Sequence, residues 1–370
     1  MKQNKLQMFT VLFTAAALFA GCTAEPNPDY VPAEPDNVPG VADRTAFALG
    51  ADISWTTQME SEGLKFYNAE GTETECTALM KELGMNSIRL RVWVDPEQGW
   101  SSKGDVVAKA LRARKLGMRI MIDFHYSDIW ADPGKQVVPS AWLDHTNEEL
   151  AQDVRNHTSD VLTTLKKAGV DVEWVQVGNE ITYGMMMHSG LNDSDRGIPF
   201  EDRTKGGSTA NKTVLASFVQ AGYDAVKSVY PDALVVIHVD QGHYLDRGKA
   251  VFEALAVTPD KKYDVIGLSL YPNSAAWQDR TEACIENINT LSGRYGCKIM
   301  ICETGMPQDN QDAAYDMLSY LIEKAEATGN CLGVFYWEPQ CDGYNGYNMG
   351  AFSDGAPAHA LDAFTEASLR

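Results

Sequence analysis

Two glutamates, Glu180 and Glu303, each follow a short apolar, β-branched run. The runs are Trp174–Val177, continued by Gly178 and Asn179, and Lys298–Cys302. In a parallel barrel the active site forms where the strands end, so an acid there reads as chemical rather than structural. Two facing carboxyl groups can divide the labour of breaking a glycosidic bond. One gives a proton while the other attacks carbon or activates water. In the first role Glu180 needs a raised pKa, from burial or a neighbouring negative charge. In the second, Glu303 should stay ionised and wants a cation and hydroxyl donors beside it. A helix N-terminal acid facing the dipole is the plain alternative for Glu180 taken alone. The second glutamate weighs against it.

Other residues fall where such a pair needs support. Arg89, in the run Ser87-Ile88-Arg89-Leu90-Arg91, is a candidate cation, because an arginine inside a barrel strand is costly unless paired. Arg91 has the same parity and either serves instead or forms a structural ion pair. Tyr271, after Ser269-Leu270, is either a hydrogen-bond donor to Glu303 or a packed rim aromatic. Gly178 lets a substrate approach closely, and the Asn179 amide suits a sugar hydroxyl. His125 opens the run to Pro133 that contains Asp128, and His238 lies in Ile237-His238-Val239-Asp240. Histidines at strand ends suit metal ligation, but neither an H-x-H pair nor a lysine bridge is present. They are assigned to hydrogen bonding with substrate or glutamates, and no metal is assigned. Trp55, Trp93, Trp130 and Trp337 gather at strand ends, with Trp142, Tyr344 and Tyr347 beyond them. Flat rings of this kind stack on the C–H faces of pyranose sugars.

These residues need a frame that brings distant segments together. Apolar strand-like runs recur near 47–53, 87–94, 119–125, 174–179, 234–239, 265–271, 298–303 and 332–338. Amphipathic helical patterns lie between them, near 73–84, 104–117, 147–168, 211–229, 244–257, 276–295 and 312–328, with a last one from 358. Thr146-Asn147-Glu148-Glu149 is a capping box, and Gly84, Gly117, Gly169, Gly296 and Gly329 sit where left-handed helix caps belong. Strand and helix alternating eight times predicts an α/β fold, the closed (β/α)8 barrel. The fourth and seventh strands then face one another across its mouth. A doubly wound open sheet lacks that geometry, and no G-x-G-x-x-G follows the first strand.

The chain begins as an exported protein does. Lys2 and Lys5 precede an apolar stretch from Met8 to Ala20, and Leu18-Phe19-Ala20-Gly21-Cys22 reads as a lipoprotein signal acylated on Cys22. The expected division is a signal over 1–21, a flexible tether over 22–43 rich in Pro, Asp and Glu, and a catalytic domain over 44–370. That places the protein in a bacterial cell envelope, anchored to the outer membrane or cell surface by lipid. The net charge of −20 argues against nucleic acid and polyanionic glycans, and leaves neutral glycans open. No cysteine pair has zinc-type C-x-x-C spacing and no bridge is assigned. Cys302, alternating with Glu303, should point into the helical layer as a buried thiol.

Taken together, Gly50-Ala51-Asp52-Ile53-Ser54, Arg89-Leu90-Arg91-Val92-Trp93-Val94, the His125–Pro133 run, Gly178-Asn179-Glu180, Tyr271-Pro272, Glu303-Thr304 and Tyr336-Trp337-Glu338-Pro339 resemble family 53 glycoside hydrolases. These are arabinogalactan endo-β-1,4-galactanases. The resemblance spans nearly the whole domain. It implies a retaining mechanism with Glu180 as acid/base and Glu303 as nucleophile. Asp52, Arg89, Trp93, His125, Asp128, Asn179, His238, Tyr271 and Trp337 would line or support the cleft. The substrate would be the β-1,4-galactan side chains of pectin, handled by a monomer without a catalytic cofactor. The family's calcium-binding insertion after the seventh strand is missing, since only Met306–Asp312 separates Glu303 from the next helix. A structural calcium elsewhere stays open. The rivals are activity on β-1,4-glucan, mannan or xylan, a surface glycan-binding lipoprotein without catalysis, and a metal hydrolase using His125, Asp128 and His238.

Overall fold

The computed structural model describes residues 40, 43–187 and 206–370. The signal, Cys22 and nearly all of the tether lie outside the described residues. Eight parallel strands close on themselves: β1 (Ala48–Asp52), β2 (Ser87–Val92), β3 (Arg119–Phe124), β4 (Trp174–Val177), β5 (Leu234–Val239), β6 (Val265–Leu270), β7 (Lys298–Thr304) and β8 (Cys331–Trp337). β1 pairs in parallel with both β2 and β8, which closes the barrel. The helices between them are α1 (Cys76–Glu82), α2 (Lys103–Lys115), α3 (Asn147–Lys167), α4 (Lys212–Val229), α5 (Lys249–Leu255), α6 (Trp277–Tyr295) and α7 (Gln311–Ala327), and α8 (Asp362–Ser368) ends the chain.

Local chemistry sets these limits. The Thr146 hydroxyl accepts from the Glu149 N–H while the Glu149 carboxylate accepts from Thr146, so the expected capping box opens α3. The five glycines assigned as caps all have positive φ. A short helix, Thr56–Ser61, and two small antiparallel strand pairs, Gly184–Met185 with Gly207–Ser208 and Phe352–Ser353 with Ala356–Pro357, add to the expected elements. They are too short to carry a periodic signal.

Two apolar layers hold the barrel. The larger lies between strands and helices, and the smaller fills the interior with Met121, Trp174, Val236, Met300 and Phe335. Gly50 makes room for that plug, because a Cβ there would meet the Phe335 ring at 2.3 Å. Further along the same strands the inward positions turn polar: Asp52, Arg89, Asp123, Gln176 and His238, all fully buried. An apolar floor thus carries a polar layer just beneath the mouth.

One expectation fails instructively. Leu268 faces Ile301 across β6 and β7, but Ser269 faces Glu303, so Cys302 is the extra residue of a bulge. Cys302 therefore packs inside the barrel with Val236 and Met300, not in the helical layer. In a regular pleat an inward Cys302 would send Glu303 outward. The bulge lets both face in. The thiol is buried as expected, and the six cysteines among the described residues are all free.

Candidate functional site

A cleft of about 970 Å3 opens at the carboxyl ends of the strands, and both Glu180 and Glu303 line it. Beneath them Arg89 is the electrostatic centre. Its Nη1 pairs with Asp52 at 2.7 Å and Glu303 at 2.9 Å, and its Nη2 pairs with Asp123 at 2.9 Å. Nη2 also donates to the side-chain oxygens of Gln176 and Asn179. Burial alone would lower the arginine pKa, but Asp123, Glu303 and Asp52 outweigh it and hold the cation firmly charged. One guanidinium on β2 is fixed by residues from β1, β3, β4 and β7.

Glu303 takes its second contact from the Tyr271 hydroxyl, which donates to Oε2 at 2.9 Å. The donor reading of Tyr271 therefore holds over the rim aromatic. Burial pushes the Glu303 pKa up to about 7, against the pull of Arg89 and with the help of Asp123 and Asp52. Glu180 has a different environment. Ser269 Oγ donates to its Oε1 at 2.6 Å, and among the described residues no cation reaches it. Burial, then the charge of Glu303, raises its pKa well above the ordinary value. Of the two acids, Glu303 has the cation and loses its proton first. Glu180 keeps its proton longer. Its φ of 45° is uncommon for a non-glycine residue, and such strain concentrates at functional sites.

Both histidines are held within the polar layer, and among the described residues neither bonds a glutamate. His125 Nδ1 accepts from the Trp93 indole at 3.2 Å and the Ala131 N–H at 3.1 Å, so Nε2 carries the hydrogen toward Asp123 at 3.0 Å. Burial lowers its pKa and keeps the ring neutral. His238 bridges Ser269 at 2.8 Å and Asn179 at 3.0 Å, and burial with Arg89 nearby lowers its pKa to about 3. Among the described residues, no group of three or more His, Cys, Asp or Glu is placed to hold a metal ion.

An aromatic wall completes the cleft. The rings of Trp55, Trp130 and Trp337 lie 5.3 to 5.7 Å apart, mostly edge to face. Arg91 sits under Trp130, 4.0 Å from its centroid, and pairs with buried Glu338 at 3.3 Å. The structural reading of Arg91 holds. Glu338 also accepts the Trp55 N–H, so the wall is pinned from below by a charge pair and a cation–π contact.

Several expectations need correction. Asp52, Arg89 and His238 lie beneath the cleft rather than lining it, because their strands place them one layer down. Asp128 does line it, but both carboxylate oxygens accept backbone N–H groups, from Asp95 and Ser140, and so tie two loops together. Gly178 does not line the cleft. It is glycine because φ is 87° and a Cβ would meet Ile181 at 2.5 Å. Trp142 is buried against His157 away from the rim. Trp93, His125, Asn179, Tyr271 and Trp337 line the cleft as expected. Sequence reasoning missed Asp123, Gln176, Ser269 and Glu338. Parity points to two of them, since Asp123 lies two residues before His125 and Ser269 two before Tyr271.

The sequence pattern of Glycosyl hydrolase family 53 matches residues 48–364. An arabinogalactan endo-β-1,4-galactanase of Cellvibrio japonicus is 32% identical over 326 residues, covering 81% of this chain and 82% of that protein. An endo-β-1,4-galactanase of Bacillus subtilis is 30% identical over 324 residues, 79% of this chain and 70% of that protein. Among solved structures, a fungal β-1,4-galactanase superposes with a TM-score of 0.74 at 25% identity, covering 87% of this chain and all of that one.

Proposed function

Because the chain belongs to glycosyl hydrolase family 53, we propose that it cleaves β-1,4-galactan with Glu303 as nucleophile and Glu180 as acid/base. The observation that carries this reading is the asymmetry of the pair: Glu303 is paired with the Arg89 cation and accepts from the Tyr271 hydroxyl, while Glu180 accepts from the Ser269 hydroxyl alone and is raised by burial and by the charge of Glu303. Glu303 attacks the anomeric carbon as Glu180 protonates the departing oxygen. A covalent glycosyl-enzyme results, and the C–O bond to the leaving unit breaks. Water then attacks that carbon, Glu180 takes its proton, and Glu303 leaves with its electron pair. Asn179, its oxygen held by Arg89 and its amide donating to the Ala131 carbonyl at 2.8 Å, is a fixed polar group on the cleft wall. The named activities of the similar proteins support galactan over glucan, mannan or xylan. The proposed reaction draws only on side chains of one chain, which suits a monomer without a cofactor.

Two inversions return the original configuration, so proton NMR of galactan digests is expected to show β-anomer first and α-anomer only by later mutarotation. Initial α-anomer would overturn the double displacement.

We propose further that Cys22 is acylated after removal of residues 1–21 and holds the enzyme on the bacterial envelope, with galactan as its extracellular partner. The Leu18–Cys22 string and the Pro- and Asp-rich stretch after it support this. Palmitate is expected to label the native chain but not Cys22→Ala, which should partition into the aqueous phase of a detergent separation. Equal labelling of both would end the idea.

A further inference from the structure

Lys109 stands among residues of the wrong kind. Its neighbours on the inner face of α2, Val106, Ala110 and Ala113, are fully buried and apolar, yet Lys109 is only 1% exposed. Taking an ammonium group out of water is costly, and replacing a buried ion pair by apolar groups is often neutral or stabilising. The Asp105 carboxylate, one turn back at 2.7 Å, offsets part of that cost. Packing alone gives no reason for a charge here.

The second contact of Lys109 supplies one. Its Nζ donates at 2.6 Å to the Ser54 carbonyl, the oxygen of the peptide group that joins Ser54 to Trp55. The N–H of that same peptide group donates to both oxygens of the buried Glu338 at 3.1 Å. Glu338 is held in turn by Gln340 at 2.6 Å and Arg91 at 3.3 Å. A peptide dipole is negative at its oxygen and positive at its N–H, so a cation at one end and a carboxyl group at the other favour a single orientation. Ser54 is fixed as well. Its N–H and hydroxyl donate to Asp52 Oδ1, and its hydroxyl oxygen accepts the Arg91 N–H at 2.8 Å. One peptide unit at the exit of β1 is thus gripped from α2, from β2 and from the segment after β8.

Trp55 hangs on that unit. Its ring lies 5.3 Å from Trp337, 5.4 Å from Trp130 and 5.5 Å from Tyr344, so it is the ring that the rest of the aromatic wall shares. The short helix Thr56–Ser61 begins just after it, without a side-chain cap to fix the turn. A rotation of the Ser54–Trp55 peptide would swing this ring and disturb every ring packed on it. Lys109 itself does not line the cleft. We infer that Lys109 is a positioning residue for glycan binding: from the helical layer, without touching substrate, it locks the Ser54–Trp55 peptide and so sets the angle at which the tryptophan wall meets the sugar chain.

This rests on the galactanase reading, and the test separates the two. Lys109→Met is expected to raise KM for galactan about tenfold while kcat stays within about twofold. A variant that merely folds less well would do the reverse, lowering apparent kcat at an unchanged KM. Should the orphaned Asp105 prevent folding, Lys109→Met combined with Asp105→Asn removes the ion pair whole and carries the same expectation. In a Trp55→Ala background, Lys109→Met should change KM by less than about twofold, because effects that act through one ring do not add. An unchanged KM in both the single and the paired variant, or the full tenfold rise in the absence of Trp55, would overturn the assignment. A wild type that does not turn over galactan would overturn the parent reading instead.

Discussion

Glu303→Ala is expected to lower kcat on galactan by at least about 10^4-fold, because no glycosyl-enzyme can form without the attacking carboxylate. The defect should respond to a small anion. With an aryl galactobioside whose leaving group needs no protonation, added azide is expected to enter the space vacated by Glu303 and give the α-galactosyl azide. In Glu180→Ala the glycosyl-enzyme still forms on that substrate, so azide should arrive from the opposite face and give the β-azide. The two product configurations assign the two acids without reference to rate. The β-azide from the Glu303 variant would exclude it as nucleophile. Unfolding is not a competing explanation, and the sign can be worked out. Burial raises the Glu303 pKa to about 7, above its unfolded value. The folded state therefore holds the proton longer, and stability is lost as pH rises toward 7. Removing the carboxyl removes that liability, so Glu303→Ala should be at least as stable as the wild type at pH 8 by urea denaturation.

Such a liability is part of how this site is built, and it explains what the sequence did and did not reveal. The eight strands were legible because each is a short apolar-rich run, and five of them follow a capping glycine, as at Gly117 before β3 and Gly296 before β7. Glu180 and Glu303 were legible as acids that interrupt such runs at their ends. Asp123 and Gln176 were harder to see, since each stands alone among apolar neighbours in Ile120-Met121-Ile122-Asp123-Phe124 and Trp174-Val175-Gln176-Val177. Their meaning comes from Arg89, which bonds both from another strand. The Cys302 bulge leaves no local mark, because it arises from how β7 registers against β6. Pairing between strands is a tertiary property, and alternation along one strand cannot report it.

Arg89→Met should be the most damaging substitution to the fold itself. It leaves Asp52, Asp123 and Glu303 facing one another in the buried layer without their shared cation. Breaking a buried charge network on one side costs about 3–5 kcal/mol, since uncompensated charges remain out of water. The loss should depend on pH in a definite direction. Without the guanidinium, burial and mutual repulsion raise the Asp123 and Glu303 pKa values above their unfolded values. The folded variant then binds more protons than its unfolded chain, so its stability rises as pH falls. Urea denaturation is expected to show a deficit of about 3–5 kcal/mol at pH 8 that shrinks markedly by pH 5. Activity should follow the same charge. Glu303 must lose its proton to attack, so the acidic limb of kcat/KM is expected to move upward in any Arg89→Met that folds, while Arg89→Lys moves it less. A stability deficit equal at pH 5 and pH 8 would mean that Arg89 acts by filling space, and the charge-centred account of the site would have to be abandoned.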